Sequence, residues 1–408
     1  MSWEELARGV ELPFDPELTI PELHPYRLDV PNPPVVDDVE KAARAATVET
    51  FTGEVAHATT IAVGAGSRGL TGRVEMLRGT IAALRELGAE PFVVPAMGSH
   101  GGATAEGQQA MLASLGITEE AIGAEIRSSM ETVVVARTPD GEPVPLDANA
   151  AAADRILPVN RVKPHTSFHG PIESGCTKMA IVGFGKQPGA ARFHAATPDL
   201  MSGRLVTAVD ALRATGRLLG GIASVESAAG EVVRVEGLTA DGVGGEPERE
   251  LTAFARTLVP ALPFDEIDVL IVERAGKDIS GPGMDPNVTG RFWVHGLDDL
   301  PSPTVRSIVL LDLTEITGGN ANGMGFADFI PASLANKVDF RTTYVNCFTA
   351  GPAGMRRSRL PMVLPDEESC IKAALSMCGR APGEPRRVVR IPSTLHLTEC
   401  LVSEALLS

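Results

Sequence analysis

Basic charge is what this chain is short of. Its 408 residues carry 36 lysines and arginines against 52 acidic residues, a formal net charge of −16. Nucleic-acid binding needs a basic face to neutralise phosphates, so a nucleic-acid partner is not expected. A small anionic substrate remains open, because a few local cations can hold one against the global field. Cysteine is scarce as well. Cys176, Cys347, Cys370, Cys378 and Cys400 are scattered, and no C-x-x-C pair occurs, which argues against a disulfide framework and a thiolate zinc site. No apolar run approaches the ~18 residues that mark a membrane span. The opening stretch MSWEELARGVELPF is acidic and lacks a basic region ahead of an apolar one, so it does not read as a secretory signal. These absences lead to the expectation of a cytoplasmic protein with no membrane partner. Homo-oligomerisation stays open at this level.

What is present suits a globular chain of two domains. The length exceeds one ordinary core, and 44% hydrophobic residues supply ample interior. Residues 1–36 are rich in proline and acid and are expected to wrap the surface or add an edge strand. From Thr60 onward, strands alternate with helices. Residues 60–64 form a short apolar strand. Val74, Leu77, Ile81, Leu84 and Leu87 then fall at helical spacing over 73–87, with Gly88 as the stop. A strand over 91–96, a glycine-rich turn and a helix over 103–115 follow. Residues 132–137 and 155–159 read as strands, 198–219 and 248–259 as helices. The pattern predicts an α/β fold: two α/β domains with mainly parallel sheets. Pro260 and Pro263 interrupt it, which sets a boundary between an N-terminal domain, 1–262, and a C-terminal domain, 263–364. In the latter, 268–272, 307–313 and 342–347 read as strands. The segment 365–408, with a helix over 367–378, can belong to either domain.

Gly64-Ala65-Gly66-Ser67-Arg68-Gly69 fits G-x-G-x-x-G after a strand and before a helix. A dinucleotide site also wants an acidic residue near the end of the next strand, and that strand ends Val94-Pro95-Ala96-Met97-Gly98. The glycines therefore read as a tight strand–helix turn or as a phosphate-cradling loop containing Gly66 and Ser67. Arg68 points to an anion, because a guanidinium at a helix entrance adds charge to backbone donors. One strand further on, Gly98-Ser99-His100-Gly101-Gly102 puts a histidine at the carboxyl edge of a parallel sheet, where such folds hold ligands. Standing alone, it could equally be a solvated loop histidine.

Residues 160–194 read NRVKPHTSFHGPIESGCTKMAIVGFGKQPGAARFH. Lys163, Lys178, Lys186, His165, His169 and His194 all fall within them. His165 and His169 have the i, i+4 spacing of a zinc pair on a helix. Pro164, Gly170 and Pro171 make a helix there improbable, so a zincin-like site is not expected.

The combination resembles the lactate racemase family, whose members use a nickel-pincer nucleotide. In that family an arginine follows the first strand and a Gly-x-His turn ends the second. A Pro-His then precedes a glycine-containing loop to a lysine, with a histidine sixteen residues after it. The matching positions are Arg68, His100, His165 after Pro164, Lys178 and His194. They cover about a third of the chain. Two departures mark a divergent branch: the loop from His165 to Lys178 is longer, so His169 competes with His165, and Ala65 stands where the family has an acid.

The resemblance implies a racemase or epimerase that inverts carbon 2 of a small-molecule 2-hydroxy acid. Abstracting the α-proton beside a carboxylate is hard. A passage through the 2-keto acid avoids the carbanion if a hydride leaves while a base takes the hydroxyl proton. Such a scheme needs a base for each enantiomer, and His100 and His165 would serve. Arg68 would stabilise the alkoxide-like oxygen. The nucleotide would be joined to Lys178 through a thioamide with nickel ligated by His194, and Ser67, Gly66 and Gly98 would surround it. The active site is expected at the domain interface, with Lys277, Asn287 and Arg291 as candidates for the substrate carboxylate, Arg291 first because its fork matches that group. The alternatives are a nicotinamide-dependent 2-hydroxyacid dehydrogenase and a pincer-nucleotide-binding relative without turnover. A pair of bases argues against the latter.

Overall fold

A computed structural model describes residues 2–8, 12–13, 18–67 and 71–407, which form two α/β units. One is continuous, Pro31–Leu258, and the other is assembled from Met1–Val30 and Val259–Ser408. In chain order the described strands are β1 (Leu23–Arg27), β2 (Thr60–Ala65), β3 (Glu90–Pro95), β4 (Thr132–Arg137), β5 (Pro143–Asp147), β6 (Arg155–Arg161) and β7 (Gly220–Glu226). After them come β8 (Val232–Thr239), β9 (Glu266–Ala275), β10 (Thr304–Leu313), β11 (Phe329–Pro331), β12 (Met362–Leu364), β13 (Val388–Ile391) and β14 (Glu399–Ser403).

In the continuous unit the sheet order is β3-β2-β6-β7-β8, parallel except for the last pair, with β4 and β5 forming a separate hairpin. β2 is buried from Ile61 to Ala65, as a strand covered on both faces must be. Its alternation divides two cores. Ile61 and Val63 face the helix Arg73–Glu86 through Met76, Leu77 and Ile81. Ala62 faces the other way, toward a core containing Phe168, Met179 and Phe184. The period of two therefore points Gly64 at the lysine- and histidine-bearing segment.

The discontinuous unit carries the sheet β1-β14-β13-β9-β10-β11-β12, with β9 to β13 mutually parallel and β14 and β1 antiparallel at one side. Two assignments from the sequence are corrected here. The segment 365–408 does not pack back on the first domain, because β13 pairs with β9 and β14 with β13. Residues 1–30 leave the N-terminal domain as well, since β1 covers the edge that β14 would otherwise expose. The chain passes between units at Leu258–Val259, four residues before the expected boundary. Residues 342–347, expected as a strand, lie in the helix Phe340–Thr349. Thr342, Thr343 and Val345 have β-branched side chains, but Asp339 caps the helix by accepting from the Thr342 N–H at 3.0 Å, and Thr343 and Cys347 bury one face. No helix of the described residues is long and apolar enough to cross a membrane.

Candidate functional site

The segment from β6 to His194 folds over the carboxyl ends of β2, β3 and β6. Glu173, fully buried, organises the loop after β6. Its carboxylate accepts from the backbone N–H of His165 at 2.7 Å and of Gly170 at 3.0 Å, and from the Arg256 guanidinium at 2.5 Å. His169 Nδ1 lies 3.2 Å from the same carboxylate. Burial works against the charged form of Glu173, yet the hydrogen bonds from His169, Arg256 and His165 outweigh it and lower its pKa. His169 is thus engaged by a structural carboxylate, while His165 faces Lys178.

His165 Nε2 and Lys178 Nζ are 2.6 Å apart. The Ser167 N–H donates into His165 Nδ1 at 3.1 Å. Which of Nε2 and Nζ donates in their contact follows the tautomer of the ring. Lys178 ends the short helix Gly175–Lys178, whose Thr177 N–H is capped at 3.0 Å by the buried Glu248 carboxyl. Aromatic rings wall this pair. The His165 and Phe168 centroids are 4.3 Å apart, and Lys178 Nζ lies 5.7 Å from the Phe168 centroid and 5.5 Å from that of Phe193.

His194 follows Phe193 at the end of the helix Lys186–His194. Its pKa is lowered to about 4, first by burial, then by the charges of Lys178 and His100. The imidazole is therefore neutral at physiological pH, the form that ligates metals. His100 comes in from the end of β3, with Nδ1 2.5 Å from Ser67 Oγ at the end of β2. The turn carrying it needs a glycine at 98, where φ is +62° and an added Cβ would come within 3.3 Å of Ala190 and of the Val182 carbonyl. Gly98 N–H also donates to Gly183 O at 3.1 Å, so the His100 turn is sewn to the segment between Lys178 and His194.

The structure thus brings Ser67, His100, His165, Lys178 and His194 to one end of one sheet, with Gly66 beside Met179 and Gly98 beside Ala190. Arg68 lies outside the described residues. The residues proposed for a substrate carboxylate fare differently. Arg291 is buried, and its guanidinium donates to Phe326 O, Asp328 Oδ2, Val305 O and Arg306 O at 2.8–3.2 Å. Its fork is filled by protein acceptors, which corrects the expectation of a substrate contact. Lys277 Nζ donates to Gly281 O, and Asn287 Nδ2 donates to Asp285 Oδ1 at 2.9 Å, both within their own loop. The nicotinamide alternative loses its footing at Gly64, which lies within β2. An added Cβ there would sit 2.5 Å from the Phe184 ring, so its smallness serves packing against the segment above.

Among the described residues no three histidine, cysteine, aspartate or glutamate side chains converge as a metal cage. A metal held by His194 would need its remaining ligands from a bound organic group. One neutral imidazole beside a lysine side chain is a donor set that a bound organic group carrying its own metal ligands would fit.

The fold and this cluster define a class: an α/β protein of two mainly parallel units with a lysine–histidine site at the strand ends of one. Among solved structures, the chain is similar to the lactate racemase apoprotein from Thermoanaerobacterium thermosaccharolyticum, at 12% identity over 88% of this chain and 92% of that one, with a TM-score of 0.52. It is also similar to a protein from Thermotoga maritima solved by a structural genomics consortium, at 12% identity over 89% and 99% of the two chains, with a TM-score of 0.51. At these identities the likeness is one of fold. The sequence matches no family model and no curated protein.

Proposed function

We propose that this protein is a racemase or epimerase of a 2-hydroxy acid, working with a nickel-pincer nucleotide attached to Lys178. The observation that carries the reading is the 2.6 Å contact between Lys178 Nζ and His165 Nε2, beside an imidazole that burial keeps neutral. Lys178 would hold the nucleotide and His194 the nickel. The group supplies a site that takes up and returns the hydride of carbon 2.

Every other task falls to the chain. His100 and His165 arise from different strand ends and exchange the hydroxyl proton, one as base and the other as acid, with roles reversed for the opposite enantiomer. Ser67 engages Nδ1 of His100, so proton exchange falls to Nε2. Phe168 and Phe193 flank the lysine nitrogen, so a group held there would have apolar walls on two sides. Arg68, from its place after β2, would meet the substrate oxygen.

The test is co-expression with nickel and cofactor-synthesis enzymes, followed by native mass spectrometry and peptide mapping. A covalent adduct on Lys178, absent from Lys178→Ala, is the expected result. An adduct on Lys163 or Lys186, or none on any lysine, overturns the assignment. Chiral chromatography of a panel of 2-hydroxy acids then reads the reaction itself.

A further inference from the structure

Lys178 and His194 are sixteen residues apart, which on a straight helix means about 24 Å along the axis. Yet Lys178 Nζ lies only 5.5 Å from the ring of Phe193, the residue just before His194. The chain must double back between them. It does so through a π-helical turn, Met179–Gly183, and then at Lys186, whose φ of +51° is the left-handed conformation that side-chain-bearing residues avoid.

Something must hold that conformation, and the Lys186 side chain shows what does. It is fully buried; its ammonium donates to Pro95 O at 2.6 Å and Gln108 Oε1 at 2.8 Å and forms an ion pair with Asp147 Oδ2 at 3.0 Å. Gln108, equally buried, turns its other end to the His100 turn, with Nε2 donating to Gly98 O at 2.8 Å and His100 O at 3.3 Å. Asp147 ends β5 and caps the next helix by accepting from the Ala150 N–H at 3.0 Å. One ammonium therefore ties the chain reversal to the turn that presents His100.

We infer that Lys186 is a positioning residue which, through its backbone, returns His194 toward Lys178 and, through Gln108, fixes the turn that carries His100. The roles of His100 and His194 rest on the function proposed above. A purely structural reading treats the buried ion pair as a source of stability. Buried pairs are poor at that, and replacing both partners by apolar residues of similar size is often neutral.

Two variants separate the readings. Gln108→Glu keeps an acceptor for Lys186 and removes both donors to the His100 turn. Lys186→Met combined with Asp147→Leu removes the pair without orphaning a charge, and it decides the matter if Gln108→Glu fails to fold. In the apo full-length chain, amide exchange over residues 98–104 is expected to rise about tenfold in either variant while the β2 and β6 amides stay near wild type. In loaded protein, kcat is expected to fall about tenfold with KM moved by less than about threefold, and Gln108→Asn, which restores a donor, should recover part of the loss. Wild-type exchange over 98–104 in a folded variant, or a rise matched throughout the unit, overturns the inference. The exchange arm reads the apo chain, so it stands if Lys178 carries no nucleotide and the proposed function fails.

Discussion

Adding one methyl group at Gly64 tests how closely the lysine-bearing segment sits on the sheet. In an open strand, Gly64→Ala would stabilise by about 0.5–1 kcal/mol, because alanine loses less backbone freedom on folding. Here the new Cβ would stand 2.5 Å from Cε2 and 2.7 Å from Cζ of Phe184, and the ring would have to retreat by roughly 1 Å to reach ordinary contact. Phe184 is fully buried, so it has no open space to enter. Overpacking of this kind costs about 1–3 kcal/mol, which leaves a net destabilisation of up to roughly 2.5 kcal/mol. Phe184→Leu alone leaves a cavity and costs about 1–2 kcal/mol. In the double variant the added methyl enters the room the ring vacates, so the pair should cost less than the two singles together by about 1 kcal/mol or more. Both tryptophans and both tyrosines (Trp3, Tyr26, Trp293 and Tyr344) lie in the discontinuous unit, so intrinsic fluorescence does not follow this one. Amide exchange of β2 and β6 does. Strict additivity, or a stabilising Gly64→Ala, would refute the packing argument.

Three further outcomes are expected. In loaded protein, His165→Ala should lose interconversion in both directions while His169→Ala retains most of it; the reverse pattern in a chiral assay would move the second base to His169. Arg291→Ala should lower the stability of its unit by about 2–4 kcal/mol, because it takes the guanidinium from Asp328 and from three backbone carbonyls, leaving Asp328 Oδ2 only the Ile308 N–H. Urea unfolding watched through Trp293, whose ring lies 4.5 Å from the guanidinium, reads this, and unchanged stability with a raised KM would restore Arg291 as a substrate contact. Glu173→Gln removes charge-assisted hydrogen bonds worth about 1.5–3 kcal/mol each. The folded-state pKa of Glu173 lies below its ordinary 4.5, so its contribution is present above pH 4.5 and is lost as pH falls further. The stability gap between wild type and variant should therefore narrow in acid, and a gap constant from pH 7 to pH 3 would contradict the assignment.

The residues that the structure gathers at the strand ends stand out in the sequence because they are rare types at telling places: a histidine between glycines after a strand, and a lysine and histidine sixteen residues apart. The α/β class followed from alternating periods, and β4 runs over the same residues, Thr132–Arg137, that the pattern picked out. What holds the site in place was hidden. Gln108 and Lys186 carry no motif, and only the buried meeting of β3, β5 and two helices gives them partners. A lysine among glycines and apolar residues at 179–189 was the faint signal, since such a charge must find an acceptor when buried. Arg291 misled for the complementary reason: the fork that suits a substrate carboxylate suits Asp328 and three backbone carbonyls equally well. Residues 342–347 are helical because the cap from Asp339 and the buried face of Thr343 and Cys347 outweigh their β-branched content.

The pairing of β1 with β14 has a consequence for how this chain is made. Tyr26 is translated about 370 residues before its partner Cys400. At about 5–20 residues per second the first strand waits from some twenty seconds to over a minute for its neighbour. The continuous unit, Pro31–Leu258, is complete well before then and can fold as an insertion between two halves of an unfinished sheet. Lysine and histidines are thus assembled on a nascent chain whose second unit is still open.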